Sequence, residues 1–375
     1  MSNGILSSGW APAFSAVPRS AFLPDLMWPF DMSTARSVVV DRADDPAAWQ
    51  RYADSDAPVV TQWDNGKHSG TRTGTVPTSS ASMPSVVFSM LRDLDVQPGN
   101  RVLEIGTGTG WNAALLAHRL GAHNVVTVEI DEAVAAGART ALERFGAPVR
   151  VVRGDGYEGC AEAAPYDRVI ATCGLRSIPL AWVEQSRPGG VIVAPWGTHY
   201  SNEDAVVRLV VADDGRSASG TFTGHVEFMK LRAQTRPRVD HAEYVTGPVA
   251  DGDESSTRIT ETQLVGERFS PLRFALGLRV HDCCEVVADR REGARPVWFY
   301  GLTDRSWACV LFRGGAATRV WQSGPRRLWD EVEAAVRWWE EQGRPGIDRF
   351  GLTVESDGRT TAWLDAPDHP VAATG

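Results

Sequence analysis

Three acid-bearing positions recur in the middle of the chain. Glu104 precedes the run Gly106-Thr107-Gly108-Thr109-Gly110, Glu129 follows about 20 residues later, and Asp155-Gly156 comes next. Glycines let a backbone turn tightly and approach a ligand closely. A dinucleotide site asks for G-x-G-x-x-G, with a pyrophosphate resting on the helix N-terminus. Here the glycines stand at 106, 108 and 110 and Trp111 follows, which departs from that spacing. A carboxylate at Glu104 would repel a pyrophosphate but suits the cationic amino group of a sulfonium amino acid. Glu129 can accept from both hydroxyls of a ribose, and Asp155 with Gly156 suits an adenine edge. Thr107 and Ile130 belong to the same candidate set. The competing reading, a tight turn with solvent-facing acids, has to explain three such signals in succession.

Such groups converge only if parallel strands end side by side. Short apolar segments at 101–105, 125–130, 149–153, 167–172 and 191–195 read as strands. Helical patterns at 112–120, 132–144 and 179–185 fall between them, and 84–94 forms a further helix upstream. This alternation predicts parallel βαβ units with right-handed crossovers. Two later strands, 205–212 and 219–231, are joined by a hairpin turn. The expected fold class is thus α/β, a doubly wound sheet ending in an antiparallel hairpin, with a C-terminal α+β domain. Residues 1–75 read as an irregular, substrate-side extension with a helix near 13–22, a strand at 36–41 and a flexible loop at 66–74. Residues 76–235 form the nucleotide-binding domain, 236–256 a linker, and 257–375 the α+β domain. That last unit holds a hairpin (296–300 and 307–312), a helix at 326–342 and a closing hairpin (349–355 and 360–364).

The chain has 375 residues, 43% hydrophobic and 23% charged, enough apolar material for a sizeable core. Its net charge of −9 argues against a general nucleic-acid footprint. No apolar run approaches the roughly 18 residues that span a bilayer, and no secretory signal opens the chain. The five cysteines, Cys160, Cys173, Cys283, Cys284 and Cys309, contain no CxxC pair, which predicts a reduced, cytoplasmic protein without a metal site. Of the 14 Trp, more than half lie in the second half of the chain, so that region is either heavily packed or a peptide-binding surface. Trp338 and Trp339 cannot both face one side of a helix.

The set Glu104, Gly106, Gly108, Gly110, Glu129, Asp155 and Gly156 resembles class I S-adenosylmethionine-dependent methyltransferases. That resemblance implies a Rossmann-like sheet, S-adenosyl-L-methionine as cofactor and S-adenosyl-L-homocysteine as product. Val17-Pro18-Arg19-Ser20-Ala21-Phe22-Leu23-Pro24 resembles the V-P-R-x-x-F-x-P segment of protein-L-isoaspartate O-methyltransferases. Thr78-Ser79-Ser80-Ala81-Ser82-Met83 aligns with their I-S-x-P-x-M segment, which implies Ser79 as the active-site serine. Ser80 and Ser82 are competing alignments, and a helix N-cap ahead of Pro84 is the other use of Ser79. Gly154-Asp155-Gly156, Ala164-Pro165-Tyr166-Asp167, Arg187-Pro188-Gly189-Gly190 and Val226-Glu227-Phe228 match later strands, so the resemblance covers 13–235. A carboxylate acceptor is already ionised at neutral pH and needs no general base, only positioning and loss of water. Ser80 and Trp63 join the acceptor side as candidates. Arg176 reads either as a grip on a substrate carboxylate or as a solvated loop cation.

Three features depart from the small repair enzymes. Thr61-Gln62-Trp63-Asp64-Asn65-Gly66 lies in an extended segment, Ala81 replaces the family's Pro, and the region past 236 lacks a counterpart in them. These features resemble the homologues found beside ATP-grasp ligases that tailor ribosomal peptides. The resemblance implies methylation of an Asp in a cross-linked precursor peptide, leading through the ester to aspartimide and isoaspartate. Its partners would be that peptide and an ATP-grasp ligase, with no nucleic acid, membrane or metal. The alternatives are isoaspartyl repair and a small-molecule acceptor.

Overall fold

Segments such as Val102–Ile105, buried at every position, are too apolar for a sheet with one wet face. Strands of this kind are covered on both sides. The computed structural model describes residues 6, 8–34, 36–236, 238–314 and 318–374. Its main sheet contains β1 (Val102–Ile105), β2 (Val125–Glu129), β3 (Arg150–Arg153), β4 (Tyr166–Ala171), β5 (Ser186–Trp196), β6 (Asp204–Val211), β7 (Ala218–Val226), β8 (Phe350–Val354) and β9 (Thr360–Leu364). Their spatial order is β9-β8-β7-β6-β5-β4-β1-β2-β3. From β3 to β5 the neighbours are parallel, and beyond β5 they are antiparallel. Because β1 pairs with β2 on one side and β4 on the other, the chain reverses its winding there, and a crevice opens at the carboxyl ends.

Helices flank the sheet. Trp111–Leu120 starts at Gly110, and Glu132–Phe145 is capped by Asp131, whose Oδ1 accepts from the amides of Ala133 and Val134 at 3.1 Å. Two large apolar clusters occupy the two faces.

Three expectations change. First, β7 ends at Val226 instead of continuing to 231; the segment beyond it turns back to the sheet's crevice, where Gly174 donates to the Met229 carbonyl and accepts from the Leu231 amide. Second, the N-terminal region is not irregular. Strands Leu26–Asp31, Arg36–Ser37, Val40–Asp41, Val59–Trp63 and Pro77–Ala81 form a separate sheet beside the helix Pro46–Asp54. Third, the closing hairpin joins the main sheet rather than the second one. β8 pairs with β7 (Ala218 with Val354, Gly220 with Leu352) and covers what would be an open sheet edge.

The remaining C-terminal strands, Asp253–Thr257, Cys283–Val287, Ala294–Gly301, Trp307–Arg313 and Thr318–Ser323, make a second antiparallel sheet. Its first strand begins inside the expected linker. Helix Leu328–Glu341 bridges the two sheets, with Trp338 and Trp339 half-buried at the seam. Every Trp of the chain is buried or half-buried, which agrees with packing as their role.

Candidate active site

The crevice holds a cleft that is open to solvent. Ser79, Ser80, Glu104, Gly106, Thr107, Gly108, Glu129, Ile130 and Gly156 all line it. Four separated stretches of sequence therefore meet there.

Glu104 ends up completely buried on β1. Its Oε1 accepts from Asn112 Nδ2 at 2.7 Å, and its Oε2 from the Thr127 hydroxyl at 2.6 Å. Since Thr127 donates to Glu104, the Thr107 hydroxyl donates to Thr127 Oγ1, 2.7 Å away. Burial pushes the Glu104 carboxyl up to about 7, against the pull of the Thr127 and Asn112 hydrogen bonds. The glycine loop then turns at Gly106 (φ 92°), where a Cβ would come within 2.9 Å of the Thr172 hydroxyl. Gly108 donates its N–H to Glu129 Oε2 at 3.0 Å, and Asp131 donates to Oε1 at 3.1 Å. Burial raises the Glu129 carboxyl too, countered by those amides and by Arg232.

Ser79 sits within the strand Pro77–Ala81, opposite Gln62. Its Oγ lies 3.3 Å from the Thr61 hydroxyl, which donates to it. The N-cap of helix Pro84–Leu94 is Met83, with no side-chain cap, so the capping use of Ser79 is excluded. Ser82 also lines the cleft.

Four expected site residues lie outside the lining. Gly110 heads its helix in the left-handed region (φ 89°) and acts through backbone shape. Asp155 stands beside Gly156 with Oδ1 accepting from the Tyr157 amide at 2.9 Å. Trp63 is buried edge-on against Trp28, with ring centroids 6.2 Å apart, because its strand turns that side chain into the N-terminal sheet. Arg176 is neither a solvated cation nor a cleft residue. Its guanidinium is largely covered and lies 2.7 Å from Asp204 Oδ1.

Sequence reading missed Asn112, Thr127, Lys230 and Arg232, all but Thr127 in the cleft wall. Thr127 carried a signal: it is the one hydroxyl in an apolar strand and pairs in register with Glu104. Asn112, the second residue of the helix after the glycines, faces back to the same carboxylate. Lys230 and Arg232 carried none, because 219–231 reads as one continuous strand and Arg232 as the start of the connection after it.

The profile of the protein-L-isoaspartate(D-aspartate) O-methyltransferase family matches residues 44–236. The chain belongs to this family. It is 38% identical over 135 residues to the protein-L-isoaspartate O-methyltransferase of Pyrococcus horikoshii, covering 36% of this chain and 60% of that relative. With the Methanocella arvoryzae relative the identity is 38% over 152 residues, covering 40% and 78%. With that of Methylorubrum extorquens it is 31% over 231 residues, covering 62% and 83%. A solved structure titled protein-L-isoaspartate O-methyltransferase superposes with a TM-score of 0.53 and 22% identity over 96% of both chains. The similarity to that structure is one of fold, and it reaches past residue 236. The C-terminal region therefore does not by itself set this chain apart from proteins of that name.

The family's cofactor is S-adenosylmethionine, and the residues here fit it. Asn112 Oδ1 is buried without a partner next to Glu104, so two acceptors await the N–H groups of an ammonium.

Proposed function

We propose that this chain is an S-adenosylmethionine-dependent O-methyltransferase acting on an aspartyl-type carboxylate within a polypeptide. The observation that carries the reading is Ser79: its Oγ accepts from Thr61, which leaves its own O–H to donate into the cleft. When bound, the cofactor supplies a methyl group on a cationic sulfur; the acceptor oxygen takes the methyl, and the S–C electron pair stays on sulfur. Glu104 and Asn112 would hold the amino group, Glu129 would take ribose hydroxyls on its remaining lone pairs, and Gly156 with Asp155 would border the adenine. Ser79 steers the acceptor oxygen, with Ser80 beside it. No His lines the cleft, and burial pushes the Cys173 thiol up to about 12, so it stays protonated. That suits an acceptor that arrives as an anion and needs no base.

Family membership supports an isoaspartyl carboxylate. The finer alternative is tailoring of a ribosomal peptide, through a methyl ester to aspartimide, beside an ATP-grasp ligase. Its support is the strand pair Val59–Trp63 and Pro77–Ala81, which builds the extended segment into the wall that carries Ser79. Five unpaired cysteines support the expected cytoplasmic setting.

Intact-mass analysis of matched isoaspartyl and aspartyl peptides tests both acceptors. Gain of one methyl on the isoaspartyl peptide alone supports repair, whereas gain on the aspartyl peptide followed by loss of methanol supports tailoring. Methylation of neither sinks the proposal. Ser79→Ala should lower kcat by about tenfold or more, the worth of one positioned donor, with S-adenosylhomocysteine affinity unchanged.

A further inference from the structure

A charge cluster stands behind the acceptor side of the cleft. Asp204, the first residue of β6, is completely buried. Its Oδ2 lies 2.5 Å from Lys230 Nζ and its Oδ1 2.7 Å from the Arg176 guanidinium. Both cations are only 12% exposed. One carboxylate between two cations leaves an excess positive charge in a poorly hydrated site, which an anion would complete.

The two cations are not equivalent. Arg176 lies outside the cleft wall and spends a further N–H on the Ser201 carbonyl at 3.2 Å. Lys230 lines the cleft, and its ammonium donates to Asp204 and, at 2.8 Å, to the Phe228 carbonyl, which leaves a third N–H. The other lining cation, Arg232, is matched one to one with Asp131 at 2.8 Å. Position is fixed as well: Gly174 donates to the Met229 carbonyl and accepts from the Leu231 amide, bracketing Lys230. A Cβ on Gly174 would lie 2.7 Å from Asp204 Oδ2 and 3.0 Å from Lys230 Nζ, so the glycine makes room for the pair.

We infer that Lys230 is the second contact of the acceptor carboxylate, its remaining N–H gripping one oxygen while Ser79 holds the other end of the group. This rests on the proposed carboxyl O-methyl transfer. Anionic acceptors are thereby selected over their amides.

The test compares an acceptor peptide with its Asn-containing analogue as competitive inhibitor, in the wild type and in Lys230→Met. In the wild type the acid should bind about tenfold or more tightly than the amide, the scale of one charge-assisted hydrogen bond. Lys230→Met should raise the acceptor KM by that factor, erase the preference for acid and leave S-adenosylhomocysteine affinity unchanged; Lys230→Arg should restore part of the preference. If Lys230→Met does not fold, the double variant Lys230→Gln/Asp204→Asn keeps the cluster's net charge but moves it to Arg176, and it should show the same loss. An acid preference intact in either variant, or equal losses for acid and amide, overturns the inference while leaving the transfer reaction in place. A wild type that methylates no carboxylate peptide brings down the proposed function, and this inference with it.

Discussion

At the scale of single residues, Glu104 is held between two demands. A carboxylate that grips an ammonium must be ionised, yet full burial without that partner favours the protonated form. Its carboxyl pushed up to about 7 expresses the conflict. The sign follows from linkage. A carboxyl raised in the folded state stabilises the cofactor-free protein most at low pH, and that contribution is lost as pH rises from the ordinary value of 4.5 through about 7. At roughly 1.4 kcal/mol per pH unit, ionised Glu104 costs the free protein about 3 kcal/mol at pH 8. Glu104→Gln should therefore melt at a higher temperature than the wild type at pH 8, with the gap closing towards pH 5. The same variant should bind S-adenosylhomocysteine at least about tenfold more weakly, for want of the charge-assisted contact. Thermal melts across that pH range, with and without S-adenosylhomocysteine, check both halves. A stability difference that does not change with pH contradicts the assignment.

At the scale of elements, the legible part of the chain is where structure is local. The alternation from 101 to 196 and the strand–glycine–helix turn placed Glu104, Gly106 and Glu129 because each strand is followed directly by its own helix. The N-terminal sheet was illegible for the opposite reason. Its strands pair across a helix and a long loop (Trp28 with Val60, Val59 with Ala81), and Pro29 and Pro77 interrupt the alternation that would mark them. Arg19 ties the elements beside this sheet together. Buried under the segment 17–24, it donates to the carbonyls of Tyr52, Ala53, Ser55, Ala57 and Ser82, at 2.8 to 3.1 Å. The family-like segment was thus recognised as a motif, while its physical job, tying the helix Pro46–Asp54 to the strand that carries Ser79, needed the structure. Lysine offers three donors on one atom and cannot span five carbonyls. Arg19→Lys should lose about 2–3 kcal/mol of stability from the carbonyls left unpaired. Hydrogen exchange should quicken in the strand Pro77–Ala81 while β1 and β2 keep their protection. Uniform quickening across all of these strands would show that Arg19 supports the whole fold rather than this wall.

At the scale of the whole molecule, a hairpin is legible from its turn, but the sheet it joins is not. The turn Ser356-Asp357-Gly358 announces 350–364 as a hairpin, and nothing local says that it pairs with β7, far upstream in the chain. The consequence is that the methyltransferase sheet is closed by the chain's last strands. Phe350 packs against Phe274 and Trp338, and Phe274 against Phe222 of β7, so the core continues from one region into the other. Charges cross the same seam: Arg273 pairs with Glu285 of the second sheet and with Glu203, the neighbour of Asp204. We propose, on these grounds, that 257–375 is a structural completion of the catalytic domain rather than an autonomous unit. A chain cut after residue 235 would expose the β7 edge together with Phe222, and a bare edge beside uncovered apolar surface favours association. The truncated chain should aggregate or elute as large species and bind S-adenosylhomocysteine poorly, although the residues assigned to the cofactor all lie before the cut. Size-exclusion chromatography and calorimetry decide the matter. A monomeric fragment with full cofactor affinity would restore 236–256 as a true linker and return the C-terminal region to the status of a separable domain.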